Sequence, residues 1–116
     1  MIKVADTENK ISSEEIKELF NTPSDTSVKF SIDLQQKVIA LGGEMHADSE
    51  SLLLGNGSDY KSVWSCTLFP LNPKDAQIEY SSLLNIKPSM NNPGMEIISE
   101  SVRNEIRDIV DLIITK

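Results

Sequence analysis

Apolar residues recur at steps of three and four near the end of the chain: Val102, Ile106, Ile109, Val110 and Ile113. That spacing predicts an amphipathic helix, with Ser99 or Ser101 as its N-cap. A shorter helix over about residues 13–20 opens at Ser12-x-x-Glu15, where a hydroxyl and a carboxylate can each satisfy a free backbone N–H. Its apolar face is Ile16, Leu19 and Phe20, and Asn21-Thr22-Pro23-Ser24-Asp25 breaks it. The period then changes to two. Val28, Phe30 and Ile32 alternate with Lys29, Ser31 and Asp33, as in a half-buried strand. Leu34-Gln35-Gln36 turns the chain into a second strand over residues 37–41, and Gly42-Gly43 ends it.

Downstream, Asp48 is placed to N-cap a short helix over residues 49–54, which Gly55 would end. Residues 63–69 are β-branched and aromatic, closed by Pro70 and Pro73, and read as a strand. Residues 78–86 form the longest strand candidate, with Ile78, Tyr80, Ser82, Leu84 and Ile86 on one face. Residues 1–10 read as a polar, extended or flexible lead-in. The order α-β-β-α-β-β-α predicts an α+β domain spanning 1–116. It would have two layers, a mainly antiparallel sheet of about four strands and helices packed on one face. A doubly wound parallel sheet would need helical crossovers that the spacing does not provide.

Charge narrows the classes of partner. Eighteen Asp and Glu against eleven Lys and Arg give a formal net charge of −7. A nucleic-acid backbone or an anionic membrane surface is therefore excluded as the expected partner. One Cys excludes an internal disulfide or a cysteine-rich zinc site, and Cys66 lies among Val63, Trp64, Leu68 and Phe69 as an inert core thiol would. The opening MIKVADTENK has no apolar stretch behind a basic region, so a cytoplasmic location is expected. No motif calls for a cofactor.

The candidate chemistry centres on the single histidine. Glu44, His46 and Asp48 are spaced by two, so an extended segment would project all three to one side. An imidazole that titrates near neutrality beside a carboxylate can act as a general acid or base, and two carboxylates with an imidazole can hold a metal. Alternatively, Asp48 caps the helix, Glu44 is solvated and His46 makes a buried hydrogen bond that pins the turn. A second polar group, Glu79, Ser81, Asn85 and Lys87, alternates with the apolar face of residues 78–86, and Glu79, Asn85 and Lys87 are its candidate ligand-binding residues. Asn85 is the member placed to read a ligand or to brace the loop over residues 87–94. The charges Glu100, Arg103, Glu105, Arg107, Asp108 and Asp111 on the last helix read as a solvated face with local ion pairs.

Gly42-Gly43-Glu44-Met45-His46-Ala47-Asp48, followed by Leu52 to Leu54, Gly57-Ser58 and Val63-Trp64, resembles a family of small, mostly bacterial proteins of unknown function. Ile78-Glu79-Tyr80, Ser82-Leu83 and Asn85 to Ser89 continue the likeness. Lys87 stands where the family's pattern has Arg, and Met90-Asn91-Asn92-Pro93 replaces a Gln-Gly-Asn-Arg stretch. The resemblance implies a shared site at Glu44, His46 and Asp48 but brings no activity with it. The sequence thus points to a binding or regulatory module for a small molecule or protein partner, expected as a homodimer. The rival is a small hydrolase-type enzyme using His46 with Glu44 or Asp48.

Overall fold

The computed structural model describes residues 1–115. Its centre is the predicted hairpin, β3 (Val28–Asp33) and β4 (Val38–Gly42), with β1 (Ile2–Asp6), β5 (Val63–Leu68) and β6 (Ile78–Glu79) added at its sides. The strand order is β1-β4-β3-β5-β6, and every neighbour is antiparallel. A separate parallel pair joins β2 (Ile11–Ser12) to β7 (Ile114–Thr115). The α+β class and the antiparallel sheet are as the sequence pattern indicates.

The β3–β4 turn is built by Asp33, whose Oδ1 accepts from the amides of Gln35 and Gln36 at 2.9 and 3.0 Å. Phe30 and Ile32 of β3 lie opposite Leu41 and Ile39 of β4, and opposite Cys66 and Trp64 of β5. This face meets α1 (Ser13–Lys17) and α3 (Glu100–Ile113), whose Ile16, Ile106, Ile109, Val110 and Ile113 join the same apolar cluster. Both helices start as the sequence indicates. The Ser12–Glu15 capping box is complete, and Ser99 Oγ accepts from the Val102 amide at 3.2 Å. Ser99, not Ser101, is the cap.

The third helix, α2 (His46–Gly55), lies on the other face of the sheet. There Leu53 packs against Ala40 and Val63, and Ser49 Oγ sits 2.8 Å from Ser31 Oγ, which is 2.7 Å from Ser65 Oγ. Strand β3 is therefore buried on both sides, and its one serine hydroxyl, on Ser31, bonds to those of Ser49 in α2 and Ser65 in β5. α1 and α3 share one face as the two-layer pattern has it, while α2 covers the opposite one.

Two segments depart from the periodicity. Residues 2–6, read as a lead-in, are a sheet strand. Residues 78–86 are not one strand. β6 ends at Glu79, and Leu83–Asn85 forms a 3₁₀ turn capped by Ser82 Oγ, which accepts from the Leu84 amide at 3.2 Å.

Candidate functional site

The Gly42-Gly43 pair makes the site possible. Gly42 has φ +114°, and a Cβ there would lie 2.3 Å from the Met1 carbonyl oxygen. Gly43 has φ +86°, and a Cβ there would lie 2.8 Å from Asp48 Cβ. With no side chain in the way, the chain doubles back and α2 starts at His46, earlier than expected. Asp48 is then not the N-cap residue. It sits at the third helical position, and its Oδ2 reaches back to the amides of Glu44 and Met45 at 3.1 and 3.0 Å.

This geometry separates the proposed triad. Because the helix begins at His46, the segment is not extended, and the three side chains do not share a side. Glu44 and Asp48 are exposed at the mouth of an open hollow of about 520 Å³ that also touches Ile2, Gly43 and Ser51. His46 turns the other way, toward β5. Its Nε2 lies 2.9 Å from the Cys66 carbonyl oxygen and 3.2 Å from Thr67 Oγ1. A carbonyl only accepts, so Nε2 carries the proton and Nδ1 is the unprotonated nitrogen of the neutral ring. Nε2 is thus not free to take a proton from Thr67, and neither Glu44 nor Asp48 bonds the ring. Half-burial lowers the His46 pKa, and Lys29 adds to this. The Cys66 carbonyl and the Glu79 carboxylate oppose it.

Glu79 belongs to this second place. Lys29, Thr67 and Glu79 stand in register across β3, β5 and β6, beside the His46 ring. Neither Thr67 nor Lys29 was visible as a partner in the sequence, because their register with His46 depends on strands far apart in the chain. Among the described residues, no three His, Cys, Asp or Glu side chains come together to hold a metal ion.

His46 gives a clean pH signature. A histidine whose folded pKa lies below its unfolded value of 6.5 is protonated more readily in the unfolded chain. Its contribution is therefore complete above pH 6.5 and is lost as pH falls from there through the lower folded value. Melting temperature should drop over that window, and His46→Gln should flatten the drop, since no other histidine titrates there. An unchanged profile in the variant would show that the imidazole is not the group responsible.

Asn85 and Lys87 lie in a third place, at the outer side of β5 beyond the end of β6. Asn85 is fully buried. Its Oδ1 accepts from the Ser65 amide at 2.9 Å, and its Nδ2 donates to the Ser65 carbonyl at 2.8 Å. One side chain thus pairs with β5 as another strand would. Lys87 is also buried, and its Nζ donates to the carbonyls of Val63 and of Tyr60, the latter at 2.8 Å. The ammonium lies 4.2 and 4.7 Å from the ring centroids of Tyr60 and Trp64. Burial lowers its pKa against the opposing pull of Glu50 and Asp59. The polar atoms of both side chains are committed to main chain, so Glu79 is the exposed member of that trio.

A fourth place was not singled out in the sequence. A hollow of about 700 Å³ lies between α3 and the connection from β5 to β6. Leu68, Val110 and Ile114 contribute apolar surface, and Lys74, Gln77, Arg107 and Asp111 contribute polar groups. Arg107 Nη1 donates to the Lys74 carbonyl at 3.0 Å, and Nη2 donates to Gln77 Oε1 and to Asp111 Oδ1 at 3.3 and 2.7 Å. Its Nε is buried without an acceptor. Burial raises the Asp111 pKa, but bonds to Arg107 and Lys74 and their charges outweigh this and hold it below the usual value. The i,i+4 pair Arg107–Asp111 was legible as a surface ion pair; that Lys74 comes up beside it was not.

The model of a family described as a protein of unknown function, DUF5674, matches residues 6–113. The chain belongs to that family. The matched span holds Glu44, His46, Asp48, Glu79, Asn85, Lys87 and Arg107, and the family's description assigns a role to none of them. No curated protein and no solved structure matches. Among the described residues, no helix is long and apolar enough to cross a membrane.

Proposed function

We propose that this member of the family is a small-molecule-binding module whose ligand occupies the hollow between α3 and the β5–β6 connection. The observation that carries this reading is the hollow's make-up. About 700 Å³ of concave space combines an apolar floor with a few convergent polar groups, the usual character of a ligand site. The ligand class follows from charge. Lys74 and Arg107 face one carboxylate, Asp111, so the hollow is a positive spot on a chain of net charge −7. It suits a molecule with an apolar body and a carboxylate. The body lies on Leu68, Val110 and Ile114, and the carboxylate meets the exposed Lys74 ammonium, with Arg107 as the second cation. The buried Arg107 Nε–H, which has no acceptor, leaves that guanidinium with unmet bonding capacity on the side chain that lines the hollow.

Octanoate and octanamide share an apolar tail and differ in charge, which makes them suitable probes. Calorimetry should show saturable binding of octanoate and weaker binding of the amide. Lys74→Glu changes an exposed side chain and should weaken octanoate by roughly tenfold, about 1.4 kcal/mol. Equal binding of acid and amide, no saturable binding of octanoate, or binding indifferent to Lys74→Glu would overturn the proposal.

The hydrolase-type alternative, with His46 acting beside Glu44 or Asp48, has less support. Nε2 is held by a carbonyl, and the two carboxylates border a different hollow.

A further inference from the structure

The two edges of the sheet are treated differently. On one side β6 is two residues long, and the rest of β5 is covered by the Asn85 amide and the Lys87 ammonium. Such devices keep an edge from pairing with another chain. On the other side, β1 runs for five residues in unbroken register with β4, without Pro or a bulge. Lys3 could have served as an edge charge, but it is drawn onto Glu15 of α1 at 2.7 Å. Val4 is 44% exposed.

The hydrogen-bond phase shows which groups this edge offers. Gly43 donates to the Met1 carbonyl, and the Asp6 amide donates to the Asn9 carbonyl rather than to β4. Odd-numbered residues of β1 therefore face β4, and Ile2 and Val4 turn their amides and carbonyls outward. We infer that this edge pairs with the same edge of a second copy of the chain, antiparallel, to make one continuous sheet across a homodimer.

Three symmetric registers centred inside β1 match the phase. With Lys3 opposite the partner's Lys3, like charges would meet at a non-hydrogen-bonded position, where side chains approach most closely. With Val4 opposite the partner's Val4, the two valines exchange reciprocal main-chain bonds. Each Ile2 amide then reaches the partner's Asp6 carbonyl, which is free, while the Asp6 amide is already satisfied internally. Lys3 then faces the small Ala5 of the partner, and the two exposed valines cover each other. With Ala5 opposite the partner's Ala5, each Val4 carbonyl would face an Asp6 amide already bonded to Asn9, and Ile2 would lie beyond the end of the partner's β1. The register centred on Val4 is the one assigned.

An edge pair of five residues is small beside a standard stable interface of roughly 1,200–2,000 Å², so association is expected to be weak and dependent on concentration. Light scattering on the full chain should show the mass rising from 12.9 kDa toward twice that as concentration increases. Hydrogen exchange at Ile2 and Val4 should slow in parallel. Val4→Pro removes an outward amide and no bond to β4, so it should weaken association at least tenfold. Val4→Lys, at an exposed position, sets like charges opposite each other and should do the same. A protein that stays monomeric into the millimolar range, or that dimerises equally well with either substitution, overturns the inference.

Discussion

Replacing Gly42 by alanine should destabilise the protein by about 3 kcal/mol or more, the larger of the two glycine effects at this site. The backbone there has φ +114°, a conformation that costs a non-glycine residue on the order of 1–3 kcal/mol. The added methyl would also lie 2.3 Å from the Met1 carbonyl oxygen. That atom is backbone and cannot swing aside as a flexible side chain would, so β1 must move away from β4 or the turn must open, and overpacking adds a further ~1–3 kcal/mol. Gly55 is the internal control, because a Cβ there meets nothing within 4 Å. Gly55→Ala should be near neutral in the same denaturation series. If Gly42→Ala were equally neutral, the close approach of β1 to the Gly-Gly turn would not hold. The two glycines thus place β1, and with it the free edge, as well as starting α2.

The parts of this fold that were legible are those fixed by neighbours in sequence. The spacing of Ile106, Ile109, Val110 and Ile113 gives α3, the Ser12–Glu15 box gives the start of α1, and alternation around Phe30 gives the central hairpin. The parts that were not legible are fixed by partners far along the chain. β1 was missed because Lys3 and Asp6 interrupt its apolar residues, and only β4 makes it a strand. The alternation over residues 78–86 is genuine, but it does not reflect one long strand. Ser82, Asn85 and Lys87 are buried to cap a turn and to satisfy β5, while Leu83 and Ile86 are left exposed. That is the reverse of a strand with an apolar inner face. At the site, the spacing of Glu44, His46 and Asp48 suggested a shared side, but an early helix start rotates His46 onto Thr67 and the Cys66 carbonyl. The hollow at Arg107 depends on Lys74, thirty-three residues earlier in the chain, and no local pattern signals that meeting.

Asn92 should prove the most sensitive polar position in the protein. The residue is 2% exposed and stands in the loop that departs most from the family pattern expected from the sequence. Its Nδ2 donates to the carbonyls of Asn85, Gly94 and Glu96 at 2.8, 3.1 and 3.0 Å, and its Oδ1 accepts from the Ile98 amide at 3.0 Å. Removing it orphans the buried Asn85 carbonyl, which costs on the order of 1–3 kcal/mol when left unsatisfied, together with three part-buried main-chain groups at Gly94, Glu96 and Ile98. Partial access of water to the loop tempers that sum. Asn92→Ala should therefore cost about 3 kcal/mol in equilibrium denaturation. Asn92→Asp should cost more at neutral pH, because a carboxylate has no N–H to offer and would face three carbonyl oxygens. Those oxygens and burial would raise the pKa of the introduced carboxyl in the folded state. Its penalty should then shrink as pH falls through that raised value, where the protonated group can donate again. The damage should also spread. Asn92 holds the Asn85 carbonyl, and Asn85 and Lys87 cover the outer side of β5. Both variants should therefore uncover a second sheet edge and aggregate at concentrations where the parent protein does not. An Asn92→Ala protein as stable and as soluble as the parent would show that the loop is held by its backbone turns alone.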